Sequence, residues 1–240
     1  GVRFVQETTV FREFGPVSGN TVQFGYTYAP TIGTRLLGRQ TFDADGRYYY
    51  RIGETGLLAL RGRWFKSFGD FPDFYYFGGN GEMRGYEYLE FIGHNAGHFN
   101  AELRFPLIEA MLTPIGVLGG IRGTFFFNLG GAGLNGQPFK LFSNTDEQFT
   151  PIIGFRQDPL TLNVEAVEGS TTAVSGFRLV NGRASYGIGV ETFVIGFPVH
   201  FDWSWRTLFN KDWEDLVYAT QGGSANFRRP RFAFWMGYDF

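Results

Sequence analysis

The chain has 240 residues, among them 35 Gly, 29 Phe, 12 Tyr and 5 Trp, with no Cys and with 21 basic against 23 acidic side chains for a net charge of −2. So many aromatics at so low a charge density exclude a disordered chain, the missing Cys excludes a disulfide scaffold or thiolate metal site, and interspersed, nearly balanced charge leaves no nucleic-acid footprint. No apolar run approaches the ~18 residues of a spanning helix. The chain opens on Gly1 without a signal peptide, which reads as a processed protein or a fragment.

Two-residue alternation runs through the chain, and helical periodicity is nearly absent. Strands are expected at 2–14 and 20–30, joined by a turn over 14–20. In 41–52, Phe42, Ala44, Gly46, Tyr48, Tyr50 and Ile52 share one face, while Asp43, Asp45, Arg47, Tyr49 and Arg51 share the other. A strand over 56–68 follows after a short turn. In 97–108, Phe99, Ala101, Leu103, Phe105 and Leu107 oppose Asn100, Glu102 and Arg104. In 114–130, Ile115, Val117, Ile121, Phe125, Phe127 and Leu129 oppose Arg122, Thr124, Phe126 and Asn128. Beyond 183–195, the segment 198–208 sets Val199, Phe201, Trp203 and Trp205 against His200, Asp202, Ser204 and Arg206. The last strand places Phe232, Phe234, Met236, Tyr238 and Phe240 on one face.

These spans exceed the ~5–6 residues usual for soluble strands and suit strands that cross a bilayer at a tilt, which need ~9–11. Connections alternate in length: 14–20, 53–56, 107–114 and 196–198 are short, whereas 30–40, 67–97, 131–182 and 210–229 are long. One tight rim and one elaborate rim is the outer-membrane barrel pattern. The expectation is therefore one domain over 1–240, or the C-terminal part of one, all-β: an antiparallel transmembrane β-barrel with about nine strands here, an odd number that leaves its closure open, with a lumen-entering loop at 69–97 and a long extracellular loop at 131–182. A soluble β-sandwich is the alternative. The crowding of aromatics on one face and of paired opposite charges on the other weighs against it.

Three ordered motifs carry a resemblance. They are Phe77-Gly78-Gly79-Asn80-Gly81-Glu82-Met83-Arg84-Gly85-Tyr86 in the loop, Asn100-Ala101-Glu102-Leu103-Arg104-Phe105-Pro106-Leu107, and Phe126-Phe127-Asn128-Leu129-Gly130. From about residue 40 to Phe240 the chain resembles the bacterial surface antigen family, outer-membrane barrels that assemble or translocate other proteins. The resemblance implies a loop tip Arg84-Gly85-Tyr86 tucked into the lumen, where Glu102, Phe126, Asn128 and Gly130 await it. It also implies a C-terminal insertion signal in Phe234, Gly237 and Phe240. Asn128 stands where the family has Asp.

The loop tip can also be argued from the residues. A guanidinium entering a lumen needs acceptors, and Glu102 points inward by parity and can supply a charge-assisted bond. With an amide at 128, Arg84 is expected to lean on Glu102 alone, and the loop anchor to be weaker.

Other polar residues are assigned structural roles. His94 and His98 read as loop residues rather than a metal pair, and Asp43 and Asp45 as a charge ladder with Arg47 and Arg51. His200 and Ser204 share a face but lie ~13 Å apart along a strand, too far for a nucleophile and its base; His200 is expected to pair with Asp202. No catalytic residue, metal or cofactor is assigned, and the chain is read as a non-enzyme. The function expected is a bacterial outer-membrane barrel that helps insert or translocate other polypeptides through a seam between its first and last strands. A structural or scaffolding barrel within a larger outer-membrane complex is the alternative, and a passive pore a third. Expected partners are the lipid bilayer, other envelope polypeptides and further copies of the chain at open strand edges, with no nucleic acid.

Overall fold

The computed structural model describes residues 1–240 apart from 13–14, 34–37, 109–110, 114–115, 119, 195–196 and 239. One antiparallel meander runs in chain order through β1 (Val2–Glu7), β2 (Gly15–Ala29), β3 (Arg39–Ile52), β4 (Gly56–Gly69), β5 (Asn95–Ile108), β6 (Ile121–Gly133), β7 (Gly182–Val194), β8 (Phe197–Thr207) and β9 (Arg231–Met236). A short strand, Val10–Arg12, also pairs with β2, so the stretch from Gly15 expected as a turn is already strand, while Phe14 lies outside the described residues. Ile115, expected in a strand over 114–130, also lies outside them; that strand instead starts at Ile121, after a small ladder of Met111–Thr113 with Gly116–Leu118.

Alternation becomes two chemically distinct faces. On one, Tyr50, Leu58, Leu103, Phe125, Ile188, Trp203 and Phe232 line up in register across seven neighbouring strands. Most of them are exposed, Phe125 at 52% and Phe232 at 57%. On the other, Asp45, Arg61, Asn100, Glu102, Arg104, Asn128, His200 and Asp202 are buried. The expected ladder along β3 holds at Asp45–Arg47, 3.2 Å, and is extended across strands, where Asp45 also meets Arg61 at 2.9 Å and Asp43 meets Arg63 at 3.0 Å. Arg51 instead donates to the Glu54 carbonyl.

The sheet is curled with its polar face inside. Phe240 follows the last strand residue, Met236, by four positions, yet clusters with Tyr49, Leu57 and Ala59 on β3 and β4. In a flat sheet β4 lies five spacings from β9, ~24 Å, whereas four extended residues span only ~14 Å. The turn inward begins at Gly237, whose φ of 152° lies in a region that side chains disfavour. Phe240 thus leaves the face of Phe232, Phe234, Met236 and Tyr238, on which alternation had placed it.

The sheet is not closed. β1 pairs with β2 and β9 with β8, and among the described residues no ladder joins β1 to β9. In an antiparallel meander of nine strands the first and last run in the same direction, so an antiparallel seam between them cannot form. Of the barrel expected from strand length and loop pattern, the described residues form an open, curled antiparallel sheet.

The two rims differ as expected. The 53–55 turn is tight, whereas 30–38, 70–94, 134–181 and 208–230 are long. The last of these, expected as loop, folds into α1 (Lys211–Val217), a 3-10 turn and α2 (Gly223–Phe227). Asn210 caps α1 by accepting from the Trp213 backbone N–H at 3.0 Å, and Asp212 and Glu214 occupy the positively polarised first turn. Glu214 is fully buried, accepting from Leu208 N and from Arg228.

Candidate functional site

The 70–94 connection turns back over the polar face. Gly78 and Gly79, with φ of 140° and 84°, reverse the chain. Met83 N–H then donates to the Gly79 carbonyl, and Glu82 accepts from the Gly78 backbone and the Tyr75 hydroxyl. This compact tip buries Phe77, Met83, Tyr86 and Phe91 in one cluster against Ala96. Asn100 on β5 fastens it by donating its amide to the Glu82 carbonyl.

Arg84 projects from the tip into the sheet and is 4% exposed. Its guanidinium meets Glu102 Oε1 at 2.8 Å and Asp202 Oδ2 at 3.3 Å, and lies 4.5 Å from the centre of the Phe126 ring. Glu102 also takes Arg104, at 2.6 Å, so two buried cations face two buried carboxylates. The Trp235 indole on β9 donates to Asp202 Oδ2 at 2.7 Å and stacks on His200 at 3.7 Å between ring centres. Loop, central strands and last strand therefore meet in one charged cluster. Removing one member of such a buried pair costs about 3–5 kcal/mol, because the partner is left charged and dry.

Glycines make the slot. Gly187 and Gly189 share the inner face of β7, between β6 and β8. A Cβ on Gly187 would lie 2.4 Å from the Phe126 ring, and one on Gly189 2.4 Å from Asp202 Oδ1. Without side chains at these positions, Phe126 and Asp202 can lean toward each other and Arg84 can drop between. At the tip, Gly85 has φ of 87°, and a Cβ there would lie 2.7 Å from Ser204 Oγ. Tyr86 next to it donates its hydroxyl to the Ala184 carbonyl at 3.0 Å. Burial pushes that hydroxyl well above the usual tyrosine range, so it remains a donor.

Each residue of the expected site is thus located. Arg84, Gly85, Tyr86, Glu102 and Phe126 converge directly. Gly130 serves by absence, since a Cβ there would lie 2.9 Å from Phe77 and 3.0 Å from Met83. Asn128 holds Asn100 at 2.7 Å and reaches Ser185 at 3.2 Å. The second anion that Asn128 does not supply comes from Asp202, two strands along, so Arg84 does not rest on Glu102 alone. Asp202 had been expected to pair with His200, whose Nε2 lies 2.8 Å from the Gly237 carbonyl. Phe234 is exposed on the outer face, while Gly237 and Phe240 turn inward, the Phe240 ring facing Arg61 and Arg104. His94 accepts from Asn135 N at the loop end, whereas His98, expected in a loop, is buried on β5 against Phe77, so the two histidines engage different neighbours.

Asp202, Trp235, Gly187 and Gly189 were missed by sequence reasoning. A signal for the glycines was present in Gly187-Ile188-Gly189, since Gly in a strand interior often marks close approach. No local signal identifies Asp202 as an Arg84 partner, because register alone brings β8 to the loop. No protein-family model matches the chain, and no curated protein matches it.

Proposed function

We propose that this chain forms part of the wall of a bacterial outer-membrane barrel, of the kind found in the surface antigen family that the chain resembles, and that it helps other polypeptides insert or cross. The observation that carries the reading is the Arg84 loop clamped into the polar face by Glu102, Phe126 and Asp202. The in-register apolar row on the opposite face supports lipid contact. A soluble monomer rarely exposes so large an apolar surface.

The open edges supply the means. Unpaired backbone groups cost several kcal/mol each in hydrocarbon, so β1 and β9 require a cover. Further strands of a longer chain, a second copy or a transiting polypeptide each provide one. β9 pairs through only six residues, Arg231–Met236, and an incoming strand can add at its edge by β-augmentation. The clamp would brace the wall from behind while that edge is in use, through Trp235 and Asp202. We assign no catalytic step, and the site residues serve to position.

A photo-cross-linker placed at Phe232 or Phe234 in cells actively exporting outer-membrane proteins tests this. Adducts with nascent envelope polypeptides are expected. Adducts confined to stable envelope components would favour the scaffolding barrel instead.

A further inference from the structure

We propose a lipid site on the outer wall, at the long rim, that holds one acyl chain of an anionic, phosphate-bearing lipid with Lys66 and Lys140 at its headgroup end. The inference rests on the reading that the apolar face meets lipid, and is independent of any role in polypeptide insertion.

A trough of about 300 Å³ lies where β4, β5 and β6 approach their ends. Its floor is bare backbone, because Gly97 and Gly131 oppose each other in register and Trp64 opposes Gly97. Trp64, Phe99 and Leu129 line it from three strands, on the same face as the exposed apolar row. The 134–181 connection then bends back over this face instead of leaving directly. A Cβ on Gly133 would lie 2.7 Å from the Phe139 ring, and one on Gly131 3.3 Å from Leu141. Phe139 and Leu141 therefore overhang the wall and convert a flat surface into a slot with apolar sides. An extended hydrocarbon chain matches such a slot, whose apolar sides would leave the polar atoms of a headgroup unpaired.

The mouth has the opposite chemistry. The Trp64 indole donates to Asn95 Oδ1 at 3.3 Å, a polar tip on an apolar body of the kind that settles at headgroup level. Lys66 is exposed, two residues beyond Trp64 on the same face and opposite Asn95 in register. Lys140 lies between Phe139 and Leu141, and its ammonium is only loosely held, 3.7 Å from the half-exposed Glu147. Lysine occurs in this sequence only at 66, 140 and 211, and two of the three neighbour lining residues, Lys66 opposite Asn95 and Lys140 between Phe139 and Leu141. Their long stems can lie along apolar surface while the ammonium groups reach a phosphate.

The test is native mass spectrometry of the full chain carried from bilayers containing equal phosphatidylglycerol and phosphatidylcholine with matched acyl chains. One phosphatidylglycerol should be retained preferentially. Lys66→Gln with Lys140→Gln should lower its retention at least threefold, as should Phe139→Ala with Leu141→Ala, while Lys211→Gln should leave it unchanged. Equal retention of the two lipids, or no response to either double substitution, overturns the proposal. Quenching of tryptophan fluorescence by brominated lipid is read in the same samples. Quenching without selective retention rejects the slot and keeps the membrane reading; absence of quenching rejects both.

Discussion

The two longest connections leave the same rim and meet opposite fates. The 70–94 loop folds inward and buries Arg84, Tyr86 and Phe77 against the polar face. The 134–181 loop builds its own ribbon, pairing Ile152–Gln157 with Val164–Glu168, and ends in a turn whose Leu160 is 93% exposed. Both are rich in apolar residues, so hydrophobicity does not separate them. The receiving surface does. Glu102 and Asp202 wait for the first loop beside the space left by Gly130, Gly187 and Gly189. The outer part of the second pairs with itself in the 152–157 and 164–168 ribbon, and its tip is closed by Asp158, which accepts from Leu160 N and the Thr161 hydroxyl.

The largest effect should come from breaking the inward clamp. Arg84→Ala leaves Glu102 and Asp202 without their shared cation and should cost about 3–5 kcal/mol in denaturant unfolding, with new protease cleavage inside 70–94. A loss below 1 kcal/mol would remove the distinction between the loops. Gly187→Ala should cost about 1–3 kcal/mol by overpacking, since the added methyl meets Phe126 and the Trp203 carbonyl; Ile188→Ala next to it, on the open face, is the control and should cost less. Asp202→Asn keeps the shape but removes the second anion, for about 1–3 kcal/mol, and should shift the fluorescence of Trp235.

At the outward ribbon the expected effects are small. Leu160→Ser should change unfolding by no more than about 0.5 kcal/mol; a larger loss would mean that the ribbon is packed like the inner loop. Its pH response should be local. The bond from Leu160 N, then that from the Thr161 hydroxyl, holds the Asp158 carboxyl below its ordinary value of 3.8. A depressed carboxyl contributes fully above that value, and its contribution fades as pH falls through the lower folded one. Protection of the Leu160 amide from exchange should follow that course, with Arg84 contacts unaffected over the same range.

Much of the strand plan was legible because alternation is a local property. Asp43, Asp45 and Arg47 segregate from Phe42, Ala44 and Gly46 in any strand that contains them. The inward-facing set Glu102, Phe126, Asn128 and Gly130 followed from parity for the same reason. The helical cap over 211–227 was hidden by the shortness of its two helices. The cue that was present, Asn210 followed by Asp212 and Glu214, is the ordinary start signal of a helix.

The amino-acid sequence by itself determined how side chains alternate between the faces along most of the strands, and that one face is apolar and the other charged. Those properties depend on neighbours one or two positions away. Only the tertiary structure decided that the sheet stays open, that Phe240 turns inward, and that Asp202 rather than residue 128 completes the Arg84 clamp. Each depends on strand register and curl, which bring together β5, β8 and the loop across more than a hundred residues of chain, a distance over which no local pattern carries information.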